Sequence, residues 1–88
     1  MKLKDRFVIT ELGEESVLVP VGEPAEGFRG IVRLNETAAF IIKQLKEDTT
    51  TDQIVDTLLA EYEVERSEAE RHVNAVLSQL REIDAIDL

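Results

Sequence analysis

Few residues here could carry covalent or acid–base chemistry. The chain has no cysteine and one histidine, His72. A nucleophile–base pair would have to join a serine or threonine to that imidazole, and no nucleophile-elbow motif frames any serine. The 19 acidic residues fall along solvated faces, without the spacing of a calcium loop or a histidine–carboxylate metal cluster. Glycines 13, 22, 27 and 30 do not spell a phosphate loop. A carrier protein would need a serine at a helix start, within Asp-Ser-Leu, to bear a phosphopantetheine arm, but Ser67 stands between Arg66 and Glu68. The residues therefore predict no catalytic group, no metal site and no cofactor, and a chain that is not an enzyme.

What remains is binding, and charge narrows the partner. The net charge is −9 over 88 residues. Between Glu47 and Glu70 nine acids face one base, Arg66, so this stretch alone carries −8. Such a surface repels a phosphate backbone and forfeits the counterion release on which nucleic-acid affinity rests. The N-terminal residues Met1 to Arg6 precede only a short apolar stretch, too little for a secretory signal. The longest apolar runs, Val17 to Val21 and Ala38 to Ile42, are five residues each, far short of a membrane span. A soluble, cytoplasmic protein is expected, with neither nucleic acid nor membrane as partner.

The elements that must position a binding site divide the chain in two. Phe7-Val8-Ile9-Thr10 and Val17-Leu18-Val19 are rich in β-branched residues, and the polar, glycine-bearing stretch Leu12 to Ser16 between them suggests a hairpin. Pro20 should end regular pairing of the second strand or place it at an edge. A loop over Gly22 to Gly27 then leads to a third short strand, Ile31 to Leu34. Asn35 is suited to cap a first helix running through Leu45, on which Ala38, Ile41, Ile42 and Leu45 share a face while Phe40 points elsewhere. Thr50 and Gln53 have capping-box spacing before a second helix whose stripe is Ile54, Val55, Leu58, Leu59 and Tyr62. Ser67 and Glu70 repeat that spacing before a third, where Ala69, Val73, Val76, Leu77, Leu80 and Ile83 recur at helical intervals.

Strand-strand-strand-helix-helix-helix in one short chain predicts an α+β, winged-helix-like fold: a three-stranded antiparallel sheet followed by three helices, forming a single domain over residues 1–88. Winged helices often bind DNA. Here the helix that would read a groove carries Arg66, Arg71 and Arg81 among Glu65, Glu68, Glu70 and Glu82, which is the wrong electrostatics.

Read together, residues 30–40 (Gly-Ile-Val-Arg-Leu-Asn-Glu-Thr-Ala-Ala-Phe), 50–55 (Thr-Thr-Asp-Gln-Ile-Val), 58–64 (Leu-Leu-Ala-Glu-Tyr-Glu-Val) and the stripe from Val73 to Leu80 resemble the PqqD family. The anchor is Leu34-Asn35-Glu36-Thr37-Ala38, where a strand passes directly into a capped helix. The resemblance implies a recognition element for ribosomally made, post-translationally modified peptides. Such an element binds the leader segment of a precursor peptide and presents it to a modifying enzyme, often a radical-SAM enzyme, in peptide natural product or cofactor biosynthesis. The leader would lie as an added strand along the third strand, with the third helix as the far wall. Ile41 and Ile42 stand where the family often has tryptophan, and Asp84 stands where a glycine followed by aliphatic residues is common. These departures imply service in a peptide-modification system other than the quinone-cofactor pathway.

On that placement, the peptide-binding residues would be Ile31, Val32, Arg33 and Leu34 on the strand and His72, Ala75, Val76 and Gln79 on the helix. Arg33 should leave the sheet on the face opposite Val32 and Leu34 and could pair with an acidic leader residue. Beside the helix's buried stripe, His72, Ala75 and Gln79 form one flank and Glu70, Asn74 and Arg81 the other. Small Ala75 and the hydrogen-bonding His72 and Gln79 favour the first as groove wall, but a helical wheel leaves open which flank meets the strand. Phe28 could cap the core or line the groove. An exposed strand edge could also pair with a second copy, so monomer and homodimer both stay open.

Overall fold

The computed structural model of the chain describes residues 1–21 and 32–86. Three strands, β1 (Phe7–Leu12), β2 (Glu15–Pro20) and β3 (Val32–Leu34), form an antiparallel sheet in the order β1-β2-β3. The hairpin is tighter than its polar sequence suggests. Leu12 pairs with Glu15 and Glu11 with Ser16, leaving Gly13 and Glu14 as the loop. Gly13 takes φ +66° at the first loop position, where a type II′ turn calls for glycine, so two residues suffice. Pro20, opposite Phe7, is the last residue of β2.

Cross-strand partners share a face of the sheet. Ile9, Leu18 and Val32 lie in one row, and Glu11, Ser16 and Leu34 in the next row of that face. Leu18 and Phe7 are buried in the core, with Ile9, Val32 and Leu34 packed against it. The opposite face therefore carries Val8, Thr10, Val17 and Arg33.

Of the three helices, α1 (Glu36–Gln44), α2 (Thr51–Glu61) and α3 (Arg66–Glu82), α1 lies against all three strands, and α2 and α3 pack on α1 and on each other. The Asn35 side chain accepts from the Ala38 amide at 2.7 Å. The Thr50–Gln53 capping box is complete, each side chain accepting from the other's backbone N–H at 3.2 Å. The Ser67–Glu70 box is not formed. α3 begins at Arg66 with Glu65 as its cap, so Ser67 is already inside the first turn. The Ala69 amide donates to Glu65, and Arg66 reaches back to Asp56 of α2 at 3.0 Å and along α3 to Glu70 at 3.3 Å.

The helical stripes meet in one core: Ile41, Ile42 and Leu45, then Ile54, Val55 and Leu58, then Ala69, Val73, Leu77 and Leu80. Ala39 is buried on α1, whereas Ala38 is only half-buried. Phe40 leaves the stripe to pack edge-to-face on Tyr62, with ring centroids 5.5 Å apart.

A clasp joins the end of α3 to the residues before β1. Leu3 bridges Ile86, and the Lys4 amide donates to Ala85 at 2.8 Å. Asp84 takes φ +57°, a conformation glycine adopts freely, and its carboxylate accepts from both Lys4 and Arg6. The far end of α3 is thereby tied to the sheet.

Candidate peptide groove

β3 is hydrogen-bonded to β2 on one side only, and among the described residues no strand lies on its other side. In an antiparallel strand, successive residues turn their N–H and C=O groups alternately toward one neighbour and the other. Across Val32, Arg33 and Leu34, either the middle residue or the two flanking ones must therefore direct backbone groups to the edge away from β2, where no described strand pairs with them.

α3 runs beside that edge, leaving a groove of about 290 Å³. Buried Leu18, Ile42 and Leu80 form its floor, Val32, Arg33 and Leu34 one bank, and Val76, Gln79 and Ile83 the other. A second hollow of about 200 Å³ continues past the end of β3 toward the start of α1. It shares Ala38, Val76 and Gln79 with the first and adds His72 and Ala75 from α3 and Asn35 and Thr37 from the strand–helix junction.

The flank of α3 carrying His72, Ala75 and Gln79 therefore faces this region, and Glu70, Asn74 and Arg81 line neither hollow. Of the residues expected to hold a peptide, Val32, Arg33, Leu34, Val76 and Gln79 converge on the groove itself, and His72 and Ala75 on its extension. Ile31 and Phe28 lie outside the described residues. His72 has Glu68 one turn away, at 3.7 Å. Arg33 points away from the helices, opposite Val17, and makes no ion pair among the described residues.

Sequence reasoning missed Ala38, Ile83 and Glu82 as groove residues. Ala38 carried the same signal that singled out Ala75, a small side chain where two elements approach, but it read as part of the α1 stripe.

Every buried residue among those described is apolar, and no group of three His, Cys, Asp or Glu side chains among them could hold a metal ion. The groove offers apolar surface, open backbone groups and a few exposed polar side chains. That is the chemistry of strand addition, in which main-chain hydrogen bonds supply affinity and side-chain pockets supply selectivity.

The family model for coenzyme PQQ synthesis protein D (PqqD) matches residues 15–86. The chain belongs to the PqqD family. Two solved structures share the fold of this PqqD-family chain. TbiB1 in complex with the TbiA(beta) leader peptide aligns with a TM-score of 0.79 and 26% identity, covering 99% of this chain and 95% of that one. A lasso peptide synthetase B1 complexed with the leader peptide aligns with a TM-score of 0.70 and 30% identity, covering 92% and 89%. No curated protein matches the chain. No helix among the described residues is long and apolar enough to cross a membrane.

Proposed function

We propose that this PqqD-family chain is a non-catalytic adaptor that takes the leader segment of a ribosomally made precursor peptide as a fourth strand on β3 and presents it to a separate modifying enzyme. The observation that carries the reading is the open β3 edge beside an apolar groove closed by α3. An exposed strand edge is a hazard that proteins usually blunt with charge or cover, so one set beside a matched groove invites an extended partner. Both structural neighbours hold leader peptides, which supports the same occupant here. That one of them is a lasso peptide synthetase component favours a peptide-modification system outside the quinone pathway and does not require a radical-SAM partner.

In this reading, alternate leader side chains enter the groove against Val32, Leu34, Val76 and Gln79, and the intervening ones pass Arg33 on the outer face. His72 and Ala75 meet the leader beyond the end of β3.

The test is an amide NMR titration of the labelled chain with a synthetic leader from the short open reading frame beside its gene, with a scrambled leader as control. Saturable shifts at Val32 to Leu34 and along α3 from His72 to Ile83, absent with the scramble, are expected. Flat titrations with every candidate leader would refute the proposal.

A further inference from the structure

Among the described residues, a hollow larger than the groove lies elsewhere. About 530 Å³ opens on the opposite flank of α1, between the tip of the β1–β2 hairpin and the end of α2. Its helix side is Glu36, Phe40 and Lys43, whereas Ala38 and Ile42 on the other flank of α1 line the groove. Leu34, at the end of β3, borders both.

Two properties define what this cavity could receive. Phe40 and Tyr62 meet edge-to-face inside it and both stay half-exposed, leaving aromatic surface open. Around them stand Glu14, Glu36 and Glu61, none with an ion-pair partner among the described residues. The single cation of the lining, Lys43, is already engaged by Glu11 at 2.8 Å. The cavity thus joins open aromatic rings to uncompensated negative charge. A guanidinium fits both features, since it stacks on aromatic rings and forks to carboxylates.

We infer that this cavity is a second docking site, which takes an arginine-bearing segment of the modifying enzyme while the leader occupies the groove. The inference rests on the adaptor reading. Because α1 separates the two hollows, a strand on β3 does not fill this one, and both partners can be held at once. Leu34 beneath both makes the new site continuous with the proposed peptide groove.

The experiment uses the full labelled chain with acetyl-Gly-Arg-Gly-amide as probe, its citrulline counterpart as neutral control, and the Glu36→Gln/Glu61→Gln variant, whose two changes are exposed and leave the core intact. Arginine-dependent shifts gathered at Glu14, Glu36, Phe40, Glu61 and Tyr62, absent with citrulline and weakened about tenfold in the variant, are the expected result. The purified modifying enzyme encoded beside the gene should likewise bind the variant at least about tenfold more weakly, with leader affinity unchanged. Shifts spread evenly over the acids between Glu47 and Glu70, or equal enzyme affinity for the variant, would overturn the inference. Failure of the leader titration at β3 and α3, with the arginine shifts retained, would instead remove the adaptor reading.

Discussion

Arg33 sits directly opposite Val17 in the β2–β3 ladder, so its side chain lies on the sheet face turned away from the helices, while Val32 and Leu34 on either side face the core. A strand added to β3 would keep this alternation. The leader residue sharing the face of Arg33 should then be acidic, and its neighbours apolar. An exposed cross-strand pair of opposite charge contributes roughly 0.2–1 kcal/mol. Replacing Arg33 by alanine should therefore weaken leader binding by no more than about fivefold, and Arg33→Glu should weaken it further. A leader with its acid changed to lysine should recover affinity for Arg33→Glu alone. Equal affinities across this cycle would place the acid elsewhere.

Ala75 and Asn74 are adjacent and exposed on α3, yet only Ala75 lines the groove extension. Ala75→Leu should fill much of that small hollow without touching the core. The expected result is a Tm within a few degrees of wild type and a leader affinity about tenfold lower, or ~1.4 kcal/mol. Asn74→Leu, which places the same leucine side chain one residue away, should leave affinity unchanged. If both variants bind alike, the leader does not extend past the end of β3.

Much of this architecture was legible in the sequence because the signals were local. The apolar intervals of α2 and α3, the Thr50–Gln53 box and the Asn35 cap each involve residues within a turn or two. The flank of α3 facing the sheet could be guessed from Ala75, His72 and Gln79 because a groove wall needs room and hydrogen-bonding groups. The start of α3 was not legible. Ser67 and Glu70 match a capping box by spacing, but the helix begins two residues earlier than that box implies, with Glu65 as its cap and Arg66 paired with Asp56 of another helix. The pairing of Phe40 with Tyr62 was hidden for the same reason, since each residue belongs to a different helix. Ala38 and Ile83 looked like ordinary stripe residues. Whether such a residue ends in the core or on an open groove depends on how far β3 extends.

That difference in capping can be measured. Thr50→Ala removes a formed cap and should cost about 1 kcal/mol, within the range of roughly 0.5–2 for such losses. In a domain this size it corresponds to a Tm lower by about 4–8 °C. Ser67→Ala removes a side chain that makes no cap hydrogen bond and should leave Tm nearly unchanged. A comparable loss from Ser67→Ala would mean that Ser67, not Glu65, caps the helix.

Asp84 combines an uncommon backbone conformation with two basic partners. Alanine there would keep the backbone strain and lose both ion pairs, whereas glycine would lose the pairs but relieve the strain. Thermal melts should rank Asp84→Gly above Asp84→Ala. The reverse order would show that the left-handed conformation is not kept in solution.

The ion pairs also set a direction for pH dependence. Hydrogen bonds from Lys4 and then Arg6 hold the Asp84 carboxyl below its ordinary range, and the hydrogen bond and charge of Lys43 do the same for Glu11. Both groups take up protons more readily in the unfolded chain than in the folded one. Their contribution is therefore fully present above the unfolded carboxylate pKa of about 4 and is lost as pH falls through the lower folded value. Urea midpoints should be level from about pH 7 to 5 and decline below about pH 4. All three pairs are exposed to solvent, so added salt should shrink their share of that decline. The Glu11→Gln/Asp84→Asn variant should start from a lower midpoint at neutral pH and decline less steeply. A variant that lost stability as steeply as wild type would assign the acid sensitivity to other carboxylates.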